Sequence, residues 1–217
     1  MSAPWRRWET APRLSPLWGA AIGALGGAVY WLGAQVWPTS IAVLLAMLAT
    51  TLLSSSTRSA AADSGTGMGM GMGMSMGMGI AGMVFTVLIK YDALMALSAA
   101  NLALALPANL ALGLIMIAGH AASRALVVSV LAAPDDAGSK PASLGDLGIA
   151  LGLGFAPAAL LGIPGLVGLA AAIVVRILFI AYLRRNDPRL GLGALDTLRQ
   201  VTEVCFYLGA VAARAYV

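Results

Sequence analysis

Residues 115 to 129 read Ile-Met-Ile-Ala-Gly-His-Ala-Ala-Ser-Arg-Ala-Leu-Val-Val-Ser, which sets three reactive groups, His120, Ser123 and Arg124, in a run otherwise suited to lipid. On a helix these positions are one turn apart and share a face, so one wet or protein-lined surface can serve all three. An arginine near mid-membrane costs from about 2.5 kcal/mol on insertion scales to more than about 10 kcal/mol in simulations, which makes Arg124 a functional candidate by default. Imidazole, hydroxyl and guanidinium together suit anion binding or catalysis on an anion. The plainer alternative is that Arg124 snorkels or bonds a helix carbonyl while His120 is a packing residue.

Other charged groups lie in or beside apolar runs. Lys90 and Asp92 are two residues apart, and such positions on a helix do not face each other, so each neutralises the other only loosely. Arg176 stands before the close of an apolar run and near Arg184, Arg185 and Arg189; it reaches either the headgroups or the cavity that holds Arg124. Asp196 and Glu203 are seven apart on the last apolar helix and point the same way.

The elements that carry these groups are membrane helices. Of the 217 residues 60% are apolar and 10% charged, and the mean hydropathy is +0.89, which fits a multi-spanning membrane protein and no ordinary soluble domain. No cleavable signal peptide is visible, because residues 1 to 10 are polar and tryptophan-rich and the apolar run after Arg13 is longer than a signal core. The lone Cys205 excludes an internal disulfide and a Cys-ligated zinc site, and its apolar neighbours suit a small buried side chain. The net charge of +4 is spread over short loops, so it speaks for orientation in a bilayer and against a nucleic-acid partner.

In chain order, residues 1–13 carry Trp5, Trp8 and three arginines and read as a cytoplasmic, headgroup-level segment. Residues 14 to 57 carry no charge and hold two spans of about 20 residues, turning at Trp37-Pro38. Gly19, Gly23 and Gly27 make a small-residue stripe for close helix packing. Residues 54–79 form a low-complexity Ser/Ala/Gly/Met loop in which Asp63 is the sole acid and Met68, Met70, Met72, Met74, Met76 and Met78 alternate with small residues. That two-residue period scatters thioethers round a helix; it reads as a connector or helix start, with a soft-metal site such as Cu(I) as the alternative.

The third span covers about residues 80 to 97, and Pro107 breaks the turn to the fourth, which carries His120. Residues 134–146 form a polar cytoplasmic loop. The fifth span, about 147 to 163, bends at Pro157; Pro164-Gly165 turns into the sixth, and the seventh begins near Leu195. With the N-terminus inside, the cytoplasmic segments hold Arg6, Arg7, Arg13, Arg58, Lys140, Arg184, Arg185, Arg189 and Arg199, and the outer turns hold none. The expectation is therefore an all-α polytopic membrane protein of about seven transmembrane helices, residues 1–217 forming a single integral membrane domain.

Four blocks give this chain a family likeness. They are Pro16-Leu17-Trp18-Gly19-Ala20-Ala21-Ile22-Gly23-Ala24-Leu25-Gly26-Gly27; Leu88-Ile89-Lys90-Tyr91; Ala118-Gly119-His120-Ala121-Ala122-Ser123-Arg124; and Asp196-Thr197-Leu198 with Gln200-Val201-Thr202-Glu203. In order and spacing they resemble cobalamin synthase, the adenosylcobinamide-GDP ribazoletransferase of bacterial inner membranes. The resemblance implies cobalamin biosynthesis: a transferase joins α-ribazole, or its phosphate, to adenosylcobinamide-GDP with release of GMP, using Mg²⁺. It also implies that His120, Ser123, Arg124 and Lys90 serve catalysis. Arg124, Arg176, Arg184 and Arg185 would bind the anionic substrate, while Asp196, Glu203 and Asp63 would hold the metal.

The chain departs from the family where metal chemistry is expected. The family motif His-x-Asp-Gly-x-x-Asp-Thr-x-Asp-Gly after the second span is replaced by residues 54 to 63, with Asp63 as its one acid, and the Asp-Ser-Arg-x-Gly element gives way to the Met-Gly tract. Two alternatives therefore stand beside the transferase: a catalytically inactive membrane scaffold of the same family, and a small-solute or soft-metal transporter that uses Lys90, Arg124, Arg176 and Glu203 as a path. A homo-oligomer stays open.

Overall fold

The computed structural model describes residues 12–62, 76–99, 108–131, 143–186 and 192–213. Asp63, the Met-Gly tract up to residue 75, most of the N-terminal segment and most of the 134–146 loop lie outside the described residues. The rest is all-α: after a 3-10 turn at Pro12–Leu14 come α1 (Ser15–Gly33), α2 (Thr39–Ala62), α3 (Met76–Ser98), α4 (Ala108–Leu131), α5 (Leu144–Leu160), α6 (Ile163–Asn186) and α7 (Leu192–Ala213). They follow the seven segments expected from the sequence, with one correction: residues 54–62 and 76–79, expected in the low-complexity loop, continue α2 and begin α3.

Local chemistry accounts for several of those ends. Pro16 occupies the first turn of α1, where its missing N–H is no loss. The chain leaves α1 through Trp37, whose N–H donates to the Gly33 carbonyl at 2.8 Å, and α2 starts just past Pro38. Ser143 caps α5, accepting from the Asp146 N–H at 3.1 Å. The α5–α6 reversal comes at Gly162, whose φ of 64° lies in the left-handed region that favours glycine. The expected turn at Pro164-Gly165 thus falls a little earlier, because Pro164 suits the first turn of α6 and helix α5 runs through Pro157 to Leu160.

Helix α4 is the centre of the bundle and packs against α1, α3, α5, α6 and α7. Its small and apolar residues, among them Ala111, Leu112, Ile115, Ala118, Ala121, Ala122 and Ala125, are buried on all sides. The glycine stripe of α1 is what lets that helix lie on α4. A Cβ at Gly23 would stand 2.6 Å from the Met116 carbonyl oxygen, and one at Gly27 2.8 Å from the Gly113 Cα. The backbones meet with no room for a side chain.

Two helical stretches are long and apolar enough to cross a membrane, Leu110–Val130 and Ile163–Arg185. They sit differently: the first is 72% buried inside the bundle and the second 11%. Helix α6 therefore presents Val174, Ile177, Leu178 and Tyr182 outward, and Leu44, Leu48 and Leu52 of α2 and Phe85 and Leu88 of α3 are exposed likewise.

Gly23→Val tests the α1–α4 seam. Forcing a branched side chain against the Met116 carbonyl is expected to cost at least about 1–3 kcal/mol. A lowered thermal midpoint of the detergent-purified protein is the expected result, and an unchanged midpoint would contradict the close approach.

Candidate functional site

Three helices meet at one carboxylate. Glu203 of α7 is paired through Oε1 with the Lys90 ammonium of α3, and its Oε2 lies 3.2 Å from Nδ1 of His120 on α4. The Tyr207 hydroxyl, one turn along α7, donates to Oε1 at 3.2 Å. All of these groups are buried, with side-chain exposures of 12% for Lys90, 5% for His120 and 7% for Glu203. A carboxylate so far from water is tolerated only when paired and hydrogen-bonded, and here both oxygens are occupied.

Sequence details build this cluster. Glu203 and Tyr207 are four apart and so stack on one face of α7. Gly119 lets the Tyr207 ring reach α4: a Cβ there would stand 2.6 Å from its Cε1. Lys90 Nζ also lies 5.7 Å from the centroid of that ring, a favourable place for a cation. His120 donates through Nδ1, while its Nε2 is buried and has no hydrogen-bond partner among the described residues.

Above the cluster lies a cleft of about 110 Å³ between α2, α3, α4 and α7. Its polar lining is Thr50, Thr51 and Ser54 of α2, Thr86 and Lys90 of α3, His120 of α4, and Arg199, Gln200 and Glu203 of α7. The hydroxyl protons are spent on the backbone. Thr50 and Thr51 donate to the Met47 carbonyl at 3.0 and 2.8 Å, Ser54 to that of Thr50 at 2.7 Å, and Thr86 to that of Gly82 at 2.7 Å. The threonine oxygens therefore offer lone pairs to whatever enters. Arg199 uses Nη2 on Asp196 Oδ1 at 2.9 Å, and Gln200 Nε2 reaches Asp196 Oδ2 at 3.3 Å.

Of the residues singled out in the sequence, Lys90, His120 and Glu203 come together at this cleft, and Asp196 stands behind it through Arg199. The shared face of His120, Ser123 and Arg124 is divided among neighbours. Ser123 is buried and donates to the His120 carbonyl at 3.1 Å, and the Arg124 stem runs beside Gly19 of α1; neither lines the cleft. Arg176 Nη2 donates to the Ser129 carbonyl at 3.2 Å, tying α6 to α4, while Arg184 and Arg185 are exposed on the last turn of α6. Lys90 takes Glu203 as its partner, and Asp92 is exposed. Tyr207, Arg199, Gln200 and the α2 threonines were not singled out for the site; the signal for Tyr207 was its four-residue offset from Glu203.

A divalent ion finds no ready seat among the described residues. They contain no group of three His, Cys, Asp or Glu side chains placed to share a metal. Glu203 and Asp196 each have both oxygens engaged by cationic or N–H donors, and Asp63 lies outside the described residues. Magnesium prefers free carboxylate oxygens in octahedral array, which this donor set does not supply.

Over 46 residues, 21% of the chain, the sequence is 48% identical to the adenosylcobinamide-GDP ribazoletransferase of Leptothrix cholodnii. The match spans 17% of that protein's length. No protein-family model matches the chain, and no solved structure matches it.

The ion cluster makes a quantitative expectation. Glu203→Leu strands the Lys90 ammonium and is expected to cost about 3–5 kcal/mol, whereas adding Lys90→Met to it should restore most of the loss. Tyr207→Phe is expected to cost about 1 kcal/mol. Denaturant titration of the four proteins checks this, and a double variant no more stable than Glu203→Leu would contradict the pairing.

Proposed function

We propose that this chain is an integral-membrane relative of the adenosylcobinamide-GDP ribazoletransferases and acts in cobalamin biosynthesis, with the α2/α3/α4/α7 cleft as its reaction site. One observation carries the reading. Lys90, His120 and Glu203 come from three separate blocks that give the sequence its family likeness, and the fold brings those three side chains into contact. The 46-residue similarity to a protein of that name supports the same assignment.

In such a transfer the α-ribazole hydroxyl oxygen bonds to the phosphorus that carries cobinamide, the P–O bond to GMP breaks, and the hydroxyl proton leaves to solvent. The cleft has two kinds of surface for this. Lys90 and Arg199 offer positive charge to phosphoryl oxygens, and Thr50, Thr51 and Thr86 offer oxygen lone pairs to a ligand hydroxyl. At about 110 Å³ it holds the reacting groups and leaves the corrin ring and the bases outside. The exposed apolar flanks of α2, α3 and α6 suit lipid, which supports a multi-pass inner-membrane location with the N-terminus in the cytoplasm.

The deciding assay supplies adenosylcobinamide-GDP and α-ribazole to the purified protein and follows the corrinoid product and GMP. Product is expected, and it should fall more for Arg199→Ala than for Arg124→Ala because only Arg199 lines the cleft. A folded protein that forms no product would support the inactive-scaffold alternative. A cysteine introduced at Ser139 is expected to react with impermeant maleimide only in opened cells; labelling from outside intact cells would reverse the orientation.

A further inference from the structure

The same cleft departs from the metal dependence that the family likeness implies, and the following rests on its being a phosphoryl site. We propose that Lys90 and Arg199 bind phosphoryl oxygens directly, with no divalent cation held between the phosphate and the protein's carboxylates. The argument is an inventory of unspent groups. The Glu203 oxygens are occupied by Lys90, His120 and Tyr207, so drawing a metal to them would have to break a buried ion pair and leave an ammonium without its partner. The Asp196 oxygens are occupied by Arg199 and Gln200.

The unspent capacity is on the cations. Arg199 has five N–H donors in a planar fork and directs one at Asp196, and its side chain is 14% exposed at the cleft wall. Lys90 has three donors and directs one at Glu203. Among the described residues an incoming oxyanion therefore meets two positive groups with donors to give, and both cleft-side carboxylates already have a donor on each oxygen. The hydroxyls of Thr50, Thr51 and Thr86 do not compete, since their protons are already bonded to backbone carbonyls. A divalent cation entering the same space meets Glu203 only with both of its oxygens engaged.

The experiment is calorimetric titration of the full chain in detergent with inorganic pyrophosphate, once with EDTA and once with excess Mg²⁺. Binding is expected in EDTA. Arg199→Gln should weaken it by about tenfold or more, the loss of one charge-assisted contact, and Arg199→Lys should recover part of that. Arg199 is the residue to change because Lys90 variants unpair Glu203 and risk misfolding. Absence of binding in EDTA by folded protein, an affinity that collapses when Mg²⁺ is withdrawn, or an unchanged affinity in Arg199→Gln would each overturn the inference. Pyrophosphate binding in EDTA without corrinoid product sinks the transferase reading and leaves this one standing; product that requires Mg²⁺ does the reverse.

Discussion

A carboxylate in the middle of a helix bundle has to be neutralised where it stands, and at Glu203 that demand falls on three other side chains from three helices. Lys90 brings α3, His120 brings α4, and Tyr207 locks the rotamer from within α7. Breaking a pair of this kind costs several kcal/mol because the remaining charge has no route to water. The cluster therefore fixes how α3, α4 and α7 stand relative to one another. The cleft residues on those three helices, Thr86, Arg199 and Gln200 among them, take their positions from that constraint.

The glycine seams answer the same need by different physics. Glycines let helix backbones come close and gain dispersion contact along the whole seam. Gly23 and Gly27 of α1 allow this against α4, and Gly168 of α6 and Gly209 of α7 allow it at the far side, where a Cβ on Gly209 would stand 2.8 Å from the Gly168 Cα. Helix α4 is nearly enclosed by its neighbours, which buries His120.

What the sequence revealed follows the range over which each interaction acts. Apolar runs marked the seven helices, because helix formation is read locally, and two helical stretches, Leu110–Val130 and Ile163–Arg185, are long and apolar enough to cross a membrane. The packing role of Gly19, Gly23 and Gly27 was legible for the same reason. The partner of Lys90 was not: the near neighbour Asp92 is exposed, and the actual partner is 113 residues away. Spacing on one helix also misleads when neighbours surround it, as with His120, Ser123 and Arg124, whose common arc meets α7 at one edge and α1 at the other. Arg199, read from the sequence only as a cytoplasmic-side charge at the start of the last helix, lines the cleft.

The chemistry of the cleft follows from which groups are already committed. A list of residue types would put two carboxylates near a phosphate-sized space and suggest a metal between them. Among the described residues each of these two carboxylates is answered by a cation, and each cation has further N–H groups. A threonine hydroxyl that would serve an anion as a donor is likewise turned into an acceptor once its proton is given to a carbonyl. The cleft thus carries two kinds of group, the N–H donors of Lys90 and Arg199 and the acceptor oxygens of Thr50, Thr51 and Thr86. Under the transferase reading proposed above, phosphoryl oxygens would take the donors and the attacking hydroxyl the acceptors.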